Sequence, residues 1–194
     1  MTDEKEKTVS RRDKIDIHIE DFKIFAEEFR DESDRSAVIL GAAKIDYLLY
    51  QLLQNHMLPN PTGNDDLLDG DSPLSTFSAR INACYRLGLI DAGLTRALHM
   101  IRKTRNAFAH EASNKSLDSG AHKDRINEFV RPLERVSLFK TILRMAFKDS
   151  NTPGARFRAG VALISLRLAL YGDRIEPIKA DNALKMETEK TGAT

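Results

Sequence analysis

The sequence predicts an all-α protein, a single-domain bundle of about six helices. Apolar residues recur at spacings of three, four and seven along most of the chain. No segment alternates apolar and polar residues with a period of two, and no Asn-Gly or Asp-Gly turn sits between β-branched runs. The length, 194 residues with 41% hydrophobic content, suits one core. Residues 1–13 read as a flexible N-terminus, 14–175 as the folded domain and 176–194 as a loosely ordered tail.

The first helix is predicted over Ile15–Glu32. Ile15, Ile19, Phe22, Phe25, Ala26 and Phe29 share one broad face, and charged residues fill much of the other. Ser33 or Asp34 can cap the next helix, about Arg35–Met57. Its stripe is Val38, Ala42, Ile45, Leu49, Leu52 and Leu53. Asp46 falls inside that stripe, where an ionised carboxylate is costly without a partner. Pro59, Pro61 and Gly63 end the helix. Asp65–Gly70 suits a short turn.

Residues 75–87 read as helix again, with Phe77, Ile81, Cys84 and Tyr85 inward and Gly88 as the stop. Asp91 caps a helix over Leu94–Ala112, and Ser113–Gly120 is a polar loop. Residues 122–148 form one helix, or two broken near Pro132 with a fresh start at Arg131. Asn151–Gly154 is a turn. Ala155–Tyr171 is apolar almost all round between Ala159 and Leu170, as suits a helix buried among others. Gly172 stops it.

Composition narrows function. The formal net charge is only +1, whereas a free-standing DNA-binding domain carries a clear basic excess. There is no Trp, and 7% of residues are aromatic, which argues against a stacking platform for single strands. The single cysteine, Cys84, excludes an internal disulfide and a multi-Cys zinc site. The N-terminal MTDEKEKTVSRRDK has no apolar core of a signal peptide. The apolar run Ala159–Leu166 is shorter than the ~20 residues of a membrane span. A cytoplasmic location and no membrane contact are expected.

Arg105-Asn106-Ala107-Phe108-Ala109-His110 is the one place where a cation, an amide and an imidazole crowd at the end of a core helix. Two roles suit it. In the structural one, Arg105 points partly into the apolar stripe and pairs with buried Asp46, since a guanidinium suits a bidentate pair with carboxylate. In the catalytic one, Arg105 binds a scissile phosphate, and His110 is general acid or base for attack by a ribose 2′-OH. On an ideal helix Arg105 and His110 are about 140° apart. Arg102, Arg156 and Arg158 are candidate phosphate or partner contacts, and Arg167 and Arg174 extend that basic tint. His18, His56, His99 and His122 lack ligand spacing with one another and read as surface or helix-end residues. The acidic run Asp65, Asp66, Asp69 and Asp71 lacks the order of a calcium loop. No metal or cofactor is expected. Residues 75–111 match a helix-turn-helix only in outline: the second helix opens Ala-Gly-Leu-Thr-Arg-Ala, poor in base-reading side chains.

Four stretches carry a family resemblance: SDRSAVILGAAKIDYLLYQLL, LLDGDSPLSTFSARINACYRLGLI, LHMIRKTRNAFAH and RFRAGVALISLRL. The chain resembles the mannitol operon repressor (MtlR) family over most of its length, departing at Ser75 where glycine is expected. The resemblance implies a bacterial regulator of sugar-alcohol uptake genes with a helical fold. With no base-reading helix and no basic excess, repression through a protein partner is favoured over direct DNA binding. More loosely, Arg105-Asn106 and His110 resemble the motif of HEPN domains, helical modules of many ribonucleases. That resemblance implies a homodimer paired through this helix, and a ribonuclease using Arg105 and His110 as the alternative function.

Overall fold

The structure, a computed structural model, describes residues 10–60, 63, 65–110, 116–148 and 150–183. Among these there are seven α-helices, two short 3-10 turns and no strand. The helices are α1 (Arg11–Asp31), α2 (Asp34–His56), α3 (Phe77–Arg86), α4 (Ala92–His110), α5 (Gly120–Val130), α6 (Ser137–Phe147) and α7 (Pro153–Gly172). The all-α bundle predicted from periodicity is therefore the observed fold, with one helix more than about six.

Local chemistry sets most of the boundaries. α1 begins four residues before the predicted Ile15, because Ser10 and Asp13 form a reciprocal capping box. Its first nine preceding residues, and so most of the predicted flexible N-terminus, lie outside the described residues. Ser33 caps α2, accepting from the Ser36 N–H at 3.1 Å. Thr76 caps α3 and Asp91 caps α4, where its Oδ1 accepts from the Leu94 N–H at 2.7 Å. Gly88 adopts φ +74°, the left-handed conformation that lets the chain leave α3. Residues 111 and 112 at the end of the predicted fourth helix, and 113–115 of its following loop, lie outside the described residues.

The segment 122–148 is two helices. α5 ends before Pro132, a 3-10 turn at Leu133–Arg135 follows, and α6 restarts at Ser137 rather than Arg131. Thr152 caps α7 and Pro153 opens it, so the predicted turn there is already the helix start. Of the tail, Ala180–Asn182 makes a 3-10 turn, and the Ile178 N–H donates to the His56 carbonyl at 2.7 Å. Residues 184–194 lie outside the described residues.

α7 is the central helix, packed against α1, α2, α5 and α6. Its run from Ala159 to Leu166 is buried all round, as its nearly unbroken apolar sequence requires. α2 is long and apolar enough to cross a membrane by length and composition. Here its stripe Val38, Ala42, Ile45, Leu49 and Leu53 is instead buried against α7, α3 and α4. Two predicted inward residues face out: Ile19 on α1 and Tyr85 on α3 are exposed. Both sit at the edge of their apolar arc, where the neighbouring helix decides which side is covered.

Candidate site at the end of helix α4

α4 packs on α2, α3 and α5 through Ala97, Leu98, Ile101, Thr104 and Phe108. α4 also carries Arg96, Arg102, Lys103 and Arg105, and no carboxylate occurs anywhere between Ala92 and His110. A chain almost neutral overall thus concentrates positive charge on one helix.

Arg105 does not form the expected ion pair with Asp46. Its side chain is exposed, and Nη1 donates to Asn106 Oδ1 at 3.1 Å. Asp46 does have a guanidinium partner, but it is Arg80 of α3, whose Nη1 lies 3.0 Å from Asp46 Oδ1. The reason is anchoring. Arg80 Nε also donates to the Leu74 carbonyl at 3.0 Å and Nη2 to the Leu68 carbonyl at 3.2 Å, while its plane lies over the Tyr50 ring. A fork fixed by two backbone acceptors loses little further freedom when it takes the carboxylate. Burial pushes the Asp46 carboxyl above the usual range, and Arg80, then Arg105, act against that shift. Arg105 is therefore close enough for its charge to reach Asp46, though it makes no bond there.

His110 is exposed at the last turn of α4, and Asn106 is half-buried beside Arg105. None of the three lines any of the principal cavities among the described residues. Arg102 is half-buried, and its Nε is enclosed without a hydrogen-bond partner. His99, one turn back, has its Nε2 3.1 Å from Asn82 Oδ1. Burial, then the charges of Arg102 and Lys103, hold its pKa below the ordinary histidine value.

Arg156 and Arg158 are not surface contacts. Arg158 is 7% exposed and fully used. Its Nε donates to the Phe29 carbonyl at 3.2 Å, Nη1 to Gly154 at 3.1 Å and Nη2 to Glu32 at 2.7 Å. Arg156 Nη1 donates to Asn127 Oδ1 at 2.8 Å, and Nη2 pairs with Glu134. Both arginines tie elements together. Periodicity hinted at this for Arg158 alone, since it stands within the apolar arc of α7.

The other histidines also have structural partners. His18 bonds Asp173 at 3.0 Å, His56 Nδ1 lies 3.0 Å from the Glu176 carbonyl oxygen, and His122 is buried with its ring 4.8 Å from that of Phe108. His122 was expected at a surface or helix end; it is at a helix start but packed inward. No group of three His, Cys, Asp or Glu able to hold a metal occurs among the described residues.

Sequence reasoning missed the neighbouring face of α2. Ile39 (38% exposed), Leu40 (47%) and Tyr47 (55%) lie outside the buried stripe. The signal was present: these positions fall off the heptad-like arc of Val38, Ala42, Ile45 and Leu49, on a helix otherwise short of charge. α2 thus exposes apolar side chains, with Tyr47 bordering a cavity beside α1 and α7, and α4 carries cations. No family model, curated protein or solved structure matches the chain.

Proposed function

We propose that the chain is an interaction protein of the mannitol operon repressor type, regulating transcription by docking an acidic protein surface through exposed residues of α2 and α4. The observations that carry the reading are exposed Ile39, Leu40 and Tyr47 on α2, and four cations with no acid on α4, which packs against α2. Interfaces favour such aromatic and arginine groups, and complementary charge speeds encounter. α4, the second helix of the helix-turn-helix outline, opens Ala-Gly-Leu-Thr-Arg-Ala, poor in base-reading side chains, which supports an indirect mode.

The test is a reporter for the sugar-alcohol uptake genes of the native host, with Tyr47→Glu and Arg105→Glu variants. Both residues are exposed, so the fold tolerates them. Loss of repression by both, with no operator binding by the purified chain, is the expected result. Specific operator binding by the purified wild-type chain overturns the indirect mode.

A second reading, the HEPN-like ribonuclease, draws on one observation: Arg105 and His110 are both exposed at the same end of α4, with Arg105 steadied by Asn106. RNA cleavage by the wild type that disappears in His110→Ala would favour it. Equal rates, or none, would dispose of it.

A further inference from the structure

A groove of about 590 Å³ lies at the other end of α4, between its first turns, the α5–α6 junction and the second half of α7. Its floor is apolar: Leu163, Ile164 and Leu168 of α7, faced by Leu133. Arg167 and Arg174 line it as well, with Tyr171 between them in sequence. Arg167 is exposed and interrupts the nearly unbroken apolar run of α7 between Ala159 and Leu170. Among the described residues no carboxylate lies within ion-pair distance of either guanidinium. Arg156 and Arg158, by contrast, are both engaged.

The surroundings reinforce the positive charge. Arg174 also borders an adjoining cavity with Arg11 and Lys14 of α1. The carboxylate at that border, Asp173, is bonded to His18. Asp91, on the opposite wall, is committed through Oδ1 to the cap of α4. An apolar trough with two uncommitted guanidinium groups suits a ligand with a hydrocarbon tail and a compact anionic head. A guanidinium takes a carboxylate bidentately. The volume falls in the range of small-molecule sites.

We propose that this groove binds a free medium-chain carboxylate, with the tail against Leu163, Ile164 and Leu168 and the head between Arg167 and Arg174. The groove shares no lining residue with those named for docking on α2 and α4, so it stands or falls separately from the regulatory reading.

The test uses the full chain and decanoate, by titration calorimetry and by NMR shifts of the Leu163 and Ile164 methyls. Saturable one-to-one binding with a Kd of about 10–100 µM is expected. Decyltrimethylammonium, with the same tail and the opposite charge, binds at least about tenfold more weakly, and acetate fails to saturate the site. The double variant Arg167→Gln, Arg174→Gln, at exposed positions, weakens decanoate by about tenfold or more at unchanged melting temperature. Equal binding of the cationic amphiphile, equal affinity of the double variant, or no saturation by decanoate overturns the proposal. So does binding to anionic phosphatidylglycerol vesicles without binding of free decanoate, which would make the rim a membrane-surface contact. The comparison of the two amphiphiles needs no variant, so a failure of the variant to fold leaves the proposal decided.

Discussion

Arg158 Nη2 and Asp34 Oδ1 meet at 3.1 Å where α1, α2 and α7 converge. The same guanidinium spans three backbone carbonyls, at Phe29, Glu32 and Gly154. Asp34 in turn accepts from the Leu117 N–H at 2.8 Å and the Ser116 hydroxyl at 3.2 Å. One buried cation thus fixes the α1–α2 turn, the start of α7 and the segment leading to α5.

Removing this arginine should be among the most damaging single changes. Arg158→Met leaves Asp34 without its cation and three carbonyls without their donor, a loss of about 3–5 kcal/mol for a broken buried pair. Arg158→Lys recovers only part, because an ammonium cannot serve the same fork of acceptors. Urea denaturation of the three proteins measures this. A loss under about 1 kcal/mol for the methionine variant would show that the clamp contributes little.

Asp46 gives a pH-dependent effect with a definite sign. Its folded pKa is raised above the ordinary value, mainly by burial, with Arg80 opposing. A raised pKa means the native state holds this proton more tightly than the unfolded chain does. The resulting stability is present below the unfolded pKa and is lost as pH rises through the folded one. Relative to Asp46→Asn, the wild type should therefore lose stability as pH rises from below the ordinary aspartate value towards neutrality. Urea melts of both proteins across that window read the difference. A wild type that gains on the variant with rising pH would mean that Arg80 outweighs burial.

Gly160 marks the closest approach of α7 to α5. A Cβ there would lie 2.8 Å from two ring carbons of Phe129 and 3.1 Å from Leu133 Cδ1. Phe129 is fully buried and packs at a tilt on Phe157, 6.0 Å between centroids, so it has nowhere to go. Alanine gains about 1 kcal/mol of helix propensity but overpacks the core by about 1–3 kcal/mol. Gly160→Ala should lower stability by about 1 kcal/mol net, or about 2–4 °C in Tm for a chain of this size. An unchanged or raised Tm in a thermal melt would show that the helices separate at little cost.

Cys84 should be inert in the folded protein. It is fully buried, and burial pushes its thiol up to about 12 from 9.0. That rise of about three pH units cuts the thiolate fraction near pH 8 by about a thousandfold. Labelling by a thiol reagent should be limited by unfolding, and fast only in urea. Rapid labelling of the native protein would place the thiol near a solvent path.

The exposed residues of α2 and α4 yield the functional counterpart. Tyr47→Glu and Arg105→Glu remove an exposed ring and reverse an exposed charge, so each should change stability by under about 0.5 kcal/mol. If these residues form a docking surface, each should weaken partner-dependent repression by about tenfold or more. Loss of folding in either variant, read by circular dichroism, would mean that these side chains support the bundle instead.

The sequence by itself determined most helices, the caps at Ser33 and Asp91, and the burial of most apolar stripes. Those features depend on neighbours a few residues apart, as Asp91 with Leu94; the equally local caps at Ser10 and Thr152 went unread because one lies in a polar leader and the other in a turn-like Asn-Thr-Pro-Gly. It also showed that Asp46 needed a cation, since a carboxylate within an apolar stripe is costly alone. Only the tertiary structure decided which cation. Arg80 and Arg105 lie on α3 and α4, both packed on α2. The choice fell to Arg80 because the carbonyls of Leu68 and Leu74 hold its guanidinium in place. The same holds for the α7 arginines. Arg156 and Arg158 became structural ties and Arg167 and Arg174 remained at a groove, because partners brought together from distant segments, not spacing along the chain, fix where a long cationic side chain ends.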